Sequence, residues 1–207
     1  MTNDWLTRAL EESRARGYLG PGAIDPQISH AEGFAMCWEE RSSVPPASFL
    51  DLGSGGGLPG LVLLQRWNSH GVLNDSIVKR LEFLREVLKW PGAPLSGEVM
   101  PGRAEETARV VDFDSAFDLV TARSFGPPSI TAECAARFLK IGGLLIVSEP
   151  PDDTETRRWS AEGLKELGLT ALGRVRHGAA FQVIQKVAAT PSRYPREIGV
   201  PRKKPLF

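Results

Sequence analysis

A glycine-rich turn between an apolar run and a helical pattern constrains this sequence most. The segment is FLDLGSGGGLPG, residues 49–60. Glycines allow positive φ and let a ligand come close to the main chain. The N-terminus of the following helix offers unpaired N–H groups and positive potential. We therefore expect a strand, a ligand-binding turn and a helix, in this order.

The middle of the chain alternates short apolar runs with helical patterns, which is typical of a parallel α/β sheet. The predicted strands cover residues 48–52, 71–75, 96–100, 117–122 and 143–148, followed by a finishing hairpin over 169–175 and 180–187. The predicted helices cover residues 4–16, 28–41, 77–90, 130–140 and 154–167. The pattern predicts an α/β fold: a mostly parallel seven-stranded sheet with a terminal antiparallel hairpin and helices on both faces.

Two ligands compete for the glycine-rich turn. Gly55, Gly57 and Gly60 satisfy the dinucleotide pattern G-x-G-x-x-G, and Asp75 stands about 20 residues after the first of them, as that pattern asks. The segment that begins at Asp51 is also D-x-G-x-G-x-G, which resembles the first motif of class I methyltransferases that use S-adenosylmethionine (SAM). A pyrophosphate would be repelled by Asp51, whereas the cationic ammonium and sulfonium of SAM tolerate it. We favour SAM; a turn without a ligand, and Asp51 as a strand-end cap, are the structural alternatives.

The charge of the chain is unevenly distributed. The 207 residues carry 25 basic and 25 acidic side chains, but residues 1–48 hold four basic and seven acidic ones, and residues 186–207 hold six and one. Four prolines in this last segment predict an extended tail rather than a packed one. The tail either solubilises the protein or binds a phosphate backbone, with Tyr194 as a stacking ring. The candidate RNA-binding residues are Arg193, Tyr194, Arg196, Arg202, Lys203 and Lys204.

Other features exclude several classes of protein. No apolar run reaches the roughly 18 residues that a membrane helix needs, and the first residues do not resemble a secretory signal. Cys37 and Cys134 lie far apart, which fits a reducing cytoplasm and offers no metal cluster. We expect a cytoplasmic monomer that uses no metal.

The sequence also limits the methylation chemistry. An exocyclic amine acceptor usually comes with [DNS]-P-P-[FYW] after the fourth strand, where this chain has Thr121-Ala122-Arg123-Ser124. Carbon methylation of a pyrimidine needs a cysteine nucleophile, and neither cysteine is suitably placed. What remains is an acceptor that is already nucleophilic at neutral pH, such as a ring nitrogen with a free lone pair, for which alignment supplies most of the acceleration.

Several ordered motifs resemble the bacterial rRNA small-subunit methyltransferase G family, also called glucose-inhibited division protein B, which methylates N7 of a guanine in 16S rRNA. Residues 49–84 contain the family's DxGSGxGxPG and its acidic-Ser pair, here Asp75-Ser76. Its G-R-A-E motif is residues 102–105, and its D-x-V-x-x-R-A motif is similar to residues 118–124. The ending TPSRYPREIGVPRKKPL also follows the family.

The resemblance implies a Rossmann-like class I methyltransferase fold with SAM as cofactor and ribosomal RNA of the small subunit as partner. It implies one methyltransferase domain over residues 1–207, with an N-terminal helical cap (1–47), a SAM-binding core (48–187) and a basic, proline-rich tail (188–207). Arg123 would be catalytic, beside the transfer site. The residues implied to contact SAM are Asp51, Gly53, Gly55, Gly57, Leu58, Asp75, Ala104, Glu105 and Arg123, with Asp75 at the ribose hydroxyls and Ala104-Glu105 near the adenine.

The chain also departs from the family. Ser148-Glu149-Pro150-Pro151 stands where the family usually has Lys-Gly, and an anion there would repel phosphates. The segment around His30 only loosely resembles the family's His-x-x-Asp-Ser. Two alternatives therefore stay open: a paralogue that methylates another RNA or a small molecule, and a non-catalytic RNA-binding or assembly protein that keeps the fold.

Overall fold

The computed structural model describes residues 4–151 and 158–207, which form a seven-stranded sheet with helices around it. The strands are β1 (Ser48–Leu52), β2 (His70–Asp75), β3 (Gly97–Pro101), β4 (Phe117–Ala122), β5 (Leu139–Glu149), β6 (Leu169–His177) and β7 (Ala179–Lys186). Their order is β3-β2-β1-β4-β5-β7-β6. The first five strands pair in parallel, and β7 is antiparallel to both β5 and β6. The predicted fold class and terminal hairpin are confirmed.

The helices cover both faces of the sheet and enclose two hydrophobic cores. They are α1 (Asp4–Ala15), α2 (Ile24–Glu39), α3 (Gly60–Arg66), α4 (Val78–Val87), α5 (Ala104–Thr107), α6 (Pro128–Ala136), α7 (Ala161–Glu166) and α8 (Val200–Lys203). One core lies between helices α1, α2, α3 and α4 and one face of the sheet. The other core lies between helices α5, α6 and α7 and the opposite face. None of the helices in the described part of the chain is long and apolar enough to cross a membrane.

The central strand β1 places the functional edge of the sheet. Phe49, Leu50 and Leu52 are fully buried because β1 is covered on both faces, which is typical of a parallel strand between two helical layers. Leu52 pairs with Asn74 of β2 and with Ala122 of β4. The glycine-rich turn, the end of β2 and the segment after β4 therefore emerge side by side at one edge.

Two predicted helix bounds are wrong at the residue level. The predicted helix over 130–140 ends at Ala136, because Leu139 already pairs with Phe117 as the first residue of β5. An irregularity in β5 then accommodates Gly142, whose φ is +90°. The helix predicted over 28–41 is α2, which begins earlier, at Ile24, since Pro26 is tolerated in a first turn where N–H groups have no intrahelical acceptor. The helix predicted over 154–167 is described only from residue 158, with α7 inside it.

The prediction of an extended tail is wrong, because the C-terminal segment (residues 188–207) packs against the domain. Arg196 forms an ion pair with Glu133 of α6, which is fully buried. The Gly199 amide donates to Glu105, and the Leu206 amide donates to the Ser129 hydroxyl. The acidic and polar partners that hold this segment lie far upstream, so the composition of the segment alone gave no sign of them.

Candidate cofactor and acceptor site

Asp51 holds the glycine-rich turn from below. Its carboxylate is 1% exposed and accepts hydrogen bonds from the Gly60 amide and the Thr121 hydroxyl, both at 3.0 Å. A Cβ atom on Gly60 would lie 2.7 Å from a carboxylate oxygen of Asp51, so only glycine allows this approach. Burial raises the pKa of Asp51 to about 6, against the opposing influence of these two hydrogen bonds. Asp51 therefore fixes the conformation of the turn, and its negative charge lies directly beneath the turn.

Asp75 ties the end of β2 to the same turn. One carboxylate oxygen accepts from the Gly55 amide at 2.9 Å, and the other accepts from the Ile77 amide at 2.8 Å. Arg80 lies 3.6 Å from the first oxygen. A carboxylate offers about four lone-pair positions, so Asp75 keeps acceptor capacity after these contacts. Its position at the carboxyl end of β2 is where the sequence predicts a ribose-binding acid.

A cavity of about 290 Å³ lies beside the turn and is called the loop cavity here. Residues 53–56, Leu58 and Arg123 form one side of it, and Tyr18, Leu19 and Gly20 form part of the other. The Ser13 hydroxyl donates to the Gly56 carbonyl at 2.8 Å and so joins α1 to the turn. This N-terminal wall is not predicted by the sequence motifs. The Gly-Pro-Gly segment between the first two helices predicts a loop, but it does not predict that this loop lines the cavity.

A second cavity, called the β5 cavity, lies next to the loop cavity. Its volume is about 440 Å³, and its walls include His30, Phe125, Glu149 and Arg158. Arg123 and Ser124 line both cavities. Ser124 has φ +54°, a left-handed conformation that costs a non-glycine residue about 1–3 kcal/mol and tends to persist where function requires it. The segment that follows β4 therefore forms the partition between two ligand-sized spaces.

Two buried polar atoms near this partition have no hydrogen-bond partner among the described residues. They are Nη1 of Arg123 and Nδ1 of His30. Burial lowers the pKa of Arg123, opposed by the charge of Asp51. Burial also lowers the pKa of His30, and the Arg123 charge adds to this effect. Orphaned buried polar atoms are rare, and at a cavity wall they indicate a polar ligand.

Glu149 is not a free anion in the β5 cavity. Its side chain is 5% exposed and forms an ion pair with Arg158 at 2.5 Å. The Trp159 indole N–H donates to its other oxygen at 3.0 Å. The expected repulsion of phosphates by Glu149 is therefore offset by a neighbouring cation, which sequence spacing did not identify.

The remaining predicted cofactor residues lie around the turn and on α5. Gly53 and Gly55 line the loop cavity with Leu58, whereas Gly57 does not line it and packs against Leu61. Ala104 is 4% exposed at the start of α5. The Glu105 carboxylate accepts from the Gly199 amide at 3.2 Å, which turns it toward the C-terminal segment. The adenine contact of Ala104 and Glu105 stays a prediction.

The predicted RNA-binding residues separate into two groups. Tyr194 is 3% exposed and its hydroxyl donates to Glu166, so stacking of a base on its ring, as predicted, is wrong. Arg193 pairs with Glu166, and Arg196 pairs with Glu133. The other three cations are exposed at α8 and just after it: Arg202, Lys203 and Lys204.

Comparisons with known proteins agree with this geometry. The model of the rRNA small subunit methyltransferase G family matches residues 33–167. The ribosomal RNA small subunit methyltransferase G of Fervidobacterium nodosum is 35% identical over 164 residues, which is 76% of this chain and 76% of that protein. The Deinococcus deserti protein of the same name is 35% identical over 170 residues, 76% and 68%. Among solved structures, the SAH-bound methyltransferase of Podospora anserina superimposes with a TM-score of 0.62 at 15% identity, covering 89% of this chain and 88% of that one; SAH is S-adenosylhomocysteine.

Proposed function

The chain belongs to the rRNA small subunit methyltransferase G family, and from this premise we propose that it methylates N7 of a guanine in 16S rRNA of the small ribosomal subunit. It is a SAM-dependent methyltransferase. The family indicates the acceptor, and one observation of the structure supports a transfer site: the loop cavity and the β5 cavity meet at Arg123 and Ser124. Two spaces joined at one partition suit a methyl donor on one side and a base on the other.

The loop cavity fits the methionine half of SAM. A Cβ on Gly53 would lie 2.7 Å from the Phe125 ring, and one on Gly56 would lie 2.4 Å from the Ser13 hydroxyl, so only glycine lets the turn approach these neighbours at the cavity. Arg80 lines this cavity as a cation for a carboxylate. Asp51 beneath the turn favours a cationic sulfonium and ammonium. Bound SAM supplies an electrophilic methyl group on sulfur. We assign Gly53, Gly55 and Leu58 to this half, Asp75 to the ribose, and Ala104-Glu105 to the adenine; Gly57, which packs against Leu61, is assigned to the shape of the turn.

The chemistry requires positioning more than proton transfer. Guanine N7 has a free lone pair and no proton to lose, so the chain need supply no general base. Holding that lone pair in line with the methyl group supplies most of the acceleration. Arg123 sits at the partition with its orphaned Nη1 and can donate to the neighbouring O6 while N7 stays free. We therefore assign Arg123 as the catalytic residue.

The two cysteines fit this assignment rather than a covalent mechanism. Cys37 and Cys134 are buried at 0% and 1% exposure. Burial raises the pKa of the Cys37 thiol to about 12 and raises that of Cys134 as well. Neither group is a thiolate at neutral pH, and neither lines the two cavities. A cysteine nucleophile for carbon methylation is therefore not supported.

RNA would contact the exposed end of the C-terminal segment. Arg202, Lys203 and Lys204 are exposed, and the Gly199–Glu105 hydrogen bond connects their helix to α5. The whole chain would then act as one methyltransferase domain, because α1 contacts the glycine-rich turn and the C-terminal segment contacts α5 and α6.

The test is to map 7-methylguanine in 16S rRNA. Small subunits that lack the modification are incubated with labelled SAM and the protein, and the RNA is digested and analysed by mass spectrometry. We expect one new 7-methylguanine with the wild type and none with Arg123→Met, while Arg85→Met, at an exposed site on α4, behaves as the wild type. Methylation of a different RNA or a small molecule would favour a paralogue. No turnover of SAM on any substrate would favour a non-catalytic assembly protein.

A further inference from the structure

Glu149 is an acidic side chain in the wall of the β5 cavity, at the end of β5. One of its oxygens accepts from Arg158 at 2.5 Å, and the other accepts from the Trp159 indole at 3.0 Å. Two donors from adjacent residues fix the plane of the carboxylate. A carboxylate held by two donors keeps one orientation, whereas a carboxylate in solvent samples several.

The carboxylate keeps acceptor capacity after these two contacts. An ionised carboxylate has about four lone-pair positions, and the two named contacts use one on each oxygen. The side chain is 5% exposed, and it lines the β5 cavity. A ligand with two adjacent N–H donors can therefore meet both oxygens at once, in the fork geometry that makes such contacts strong and directional.

Arg123 and His30 also line the β5 cavity. Arg123 presents an orphaned Nη1, which is a hydrogen-bond donor, and His30 presents an orphaned Nδ1. The lining of the cavity thus combines a donor at the partition with a carboxylate at the end of β5. Guanine matches this arrangement, because its O6 and N7 accept while its N1–H and N2–H groups donate. Adenine does not, because it carries an amino donor where guanine has O6 and an acceptor where guanine has N1–H.

We propose that Glu149 determines base specificity by accepting hydrogen bonds from the N1–H and N2–H groups of the acceptor guanine. Arg158 and Trp159 are positioning residues that orient the carboxylate. With the Watson–Crick edge at Glu149 and O6 at Arg123, N7 faces the partition and the loop cavity. The inference rests on the proposed function, since it presumes a guanine acceptor.

Equilibrium binding of mononucleotides tests this assignment without catalysis. The protein saturated with SAH is titrated by ligand-detected NMR with guanosine, inosine and adenosine 5′-monophosphates; inosine lacks the N2 amine. We expect the wild type to prefer the guanosine nucleotide over the inosine one by about tenfold, as for a hydrogen bond to a charged group. Glu149→Gln should reduce that ratio to near one.

Control variants separate recognition from support. Arg158→Met should lower the guanosine preference in part, because the carboxylate loses one of the two donors that orient it, and should leave the affinity for the adenosine nucleotide unchanged. Glu149→Asp should also retain part of the preference. Glu162→Gln, at an exposed acid on α7, should change nothing. Three results would overturn the inference. In the first, the wild type binds the guanosine and inosine nucleotides with equal affinity, and in the second it binds none of the three nucleotides detectably. In the third, a folded Glu149→Gln variant keeps the wild-type ratio of guanosine to inosine affinity. Absence of 7-methylguanine with the wild type would instead overturn the proposed function.

Discussion

Replacing Arg196 by methionine tests whether the C-terminal segment folds onto α6. Glu133 is fully buried and accepts three hydrogen bonds from Arg196: from the main-chain amide at 2.8 Å, from Nε at 2.9 Å and from Nη2 at 2.6 Å. Methionine keeps the bulk of the side chain and leaves only the amide bond. The Glu133 carboxylate would then be buried without a counter-charge.

The expected loss is large for a single surface-segment substitution. Removing one partner of a buried ion pair costs about 3–5 kcal/mol. For a chain of this size, this corresponds to a fall in melting temperature of roughly 6–20 °C. Urea unfolding followed by tryptophan fluorescence measures the free energy, and limited proteolysis reports whether the segment after residue 187 has become accessible.

The matched control is Arg193→Met. Arg193 pairs with Glu166 by side chains that are 64% and 44% exposed, so solvent screens this ion pair and its loss should change stability little. If Arg196→Met is as stable and as resistant to protease as Arg193→Met, the packing of the C-terminal segment is refuted. The double substitution Glu133→Leu with Arg196→Met should recover much of the loss, because it removes the stranded charge.

Three further predictions concern the ligand contacts. Asp51→Asn should weaken SAM more than SAH in calorimetry, and wild-type SAM affinity should fall as the pH decreases through about 6, where the buried carboxylate becomes protonated; a flat pH profile would contradict this. Asp75→Ala should weaken SAM and SAH alike by roughly 10–100-fold, as for hydrogen bonds to a charged group, and equal affinities would remove Asp75 from the site. Changing Arg202, Lys203 and Lys204 together to Gln should lower RNA affinity and flatten the slope of log K against log salt by roughly two, and an unchanged slope would place RNA elsewhere.

The glycine-rich turn was predictable because its determinants are local. The apolar run of β1, the glycines and the acid at the end of β2 lie within a short stretch, and parallel strands bring their carboxyl ends to one edge. The sequence places Asp51 at the base of the turn, but its carboxylate contacts Gly60 and Thr121, which the pattern alone does not reveal. The predicted preference for a cationic ligand therefore rests on the negative charge of Asp51 beneath the turn, because Asp51 itself does not line the loop cavity.

The N-terminal wall of the loop cavity and the support of Glu149 were not predictable in the same way. Tyr18 and Leu19 are more than 30 residues from the turn they cover, and their approach depends on how α1 packs. Arg158 and Trp159 lie close to Glu149 in sequence, but which donors reach the carboxylate depends on the conformation of the chain between them. Such contacts follow from tertiary geometry, not from periodicity.

One signal for the C-terminal segment was present in α6. The helix reads PSITAECAA, so Glu133 is a lone acid in an otherwise apolar and small-residue stretch. Acids are almost never fully buried without a partner, so this pattern requires a cation from elsewhere. An upstream acid of this kind predicts that a basic segment packs, even when the segment is rich in proline.

The packed segment changes the electrostatic argument for RNA binding. Of its cations, Arg193 and Arg196 are engaged by Glu166 and Glu133, and Lys186, just before it, is 2% exposed. The charge available to a phosphate backbone is therefore concentrated at residues 202–204 rather than spread along a flexible strap. A rigid cluster loses less conformational entropy on binding than an extended tail, and its connection to α5 through Glu105 gives it a fixed position relative to the cofactor side of the domain.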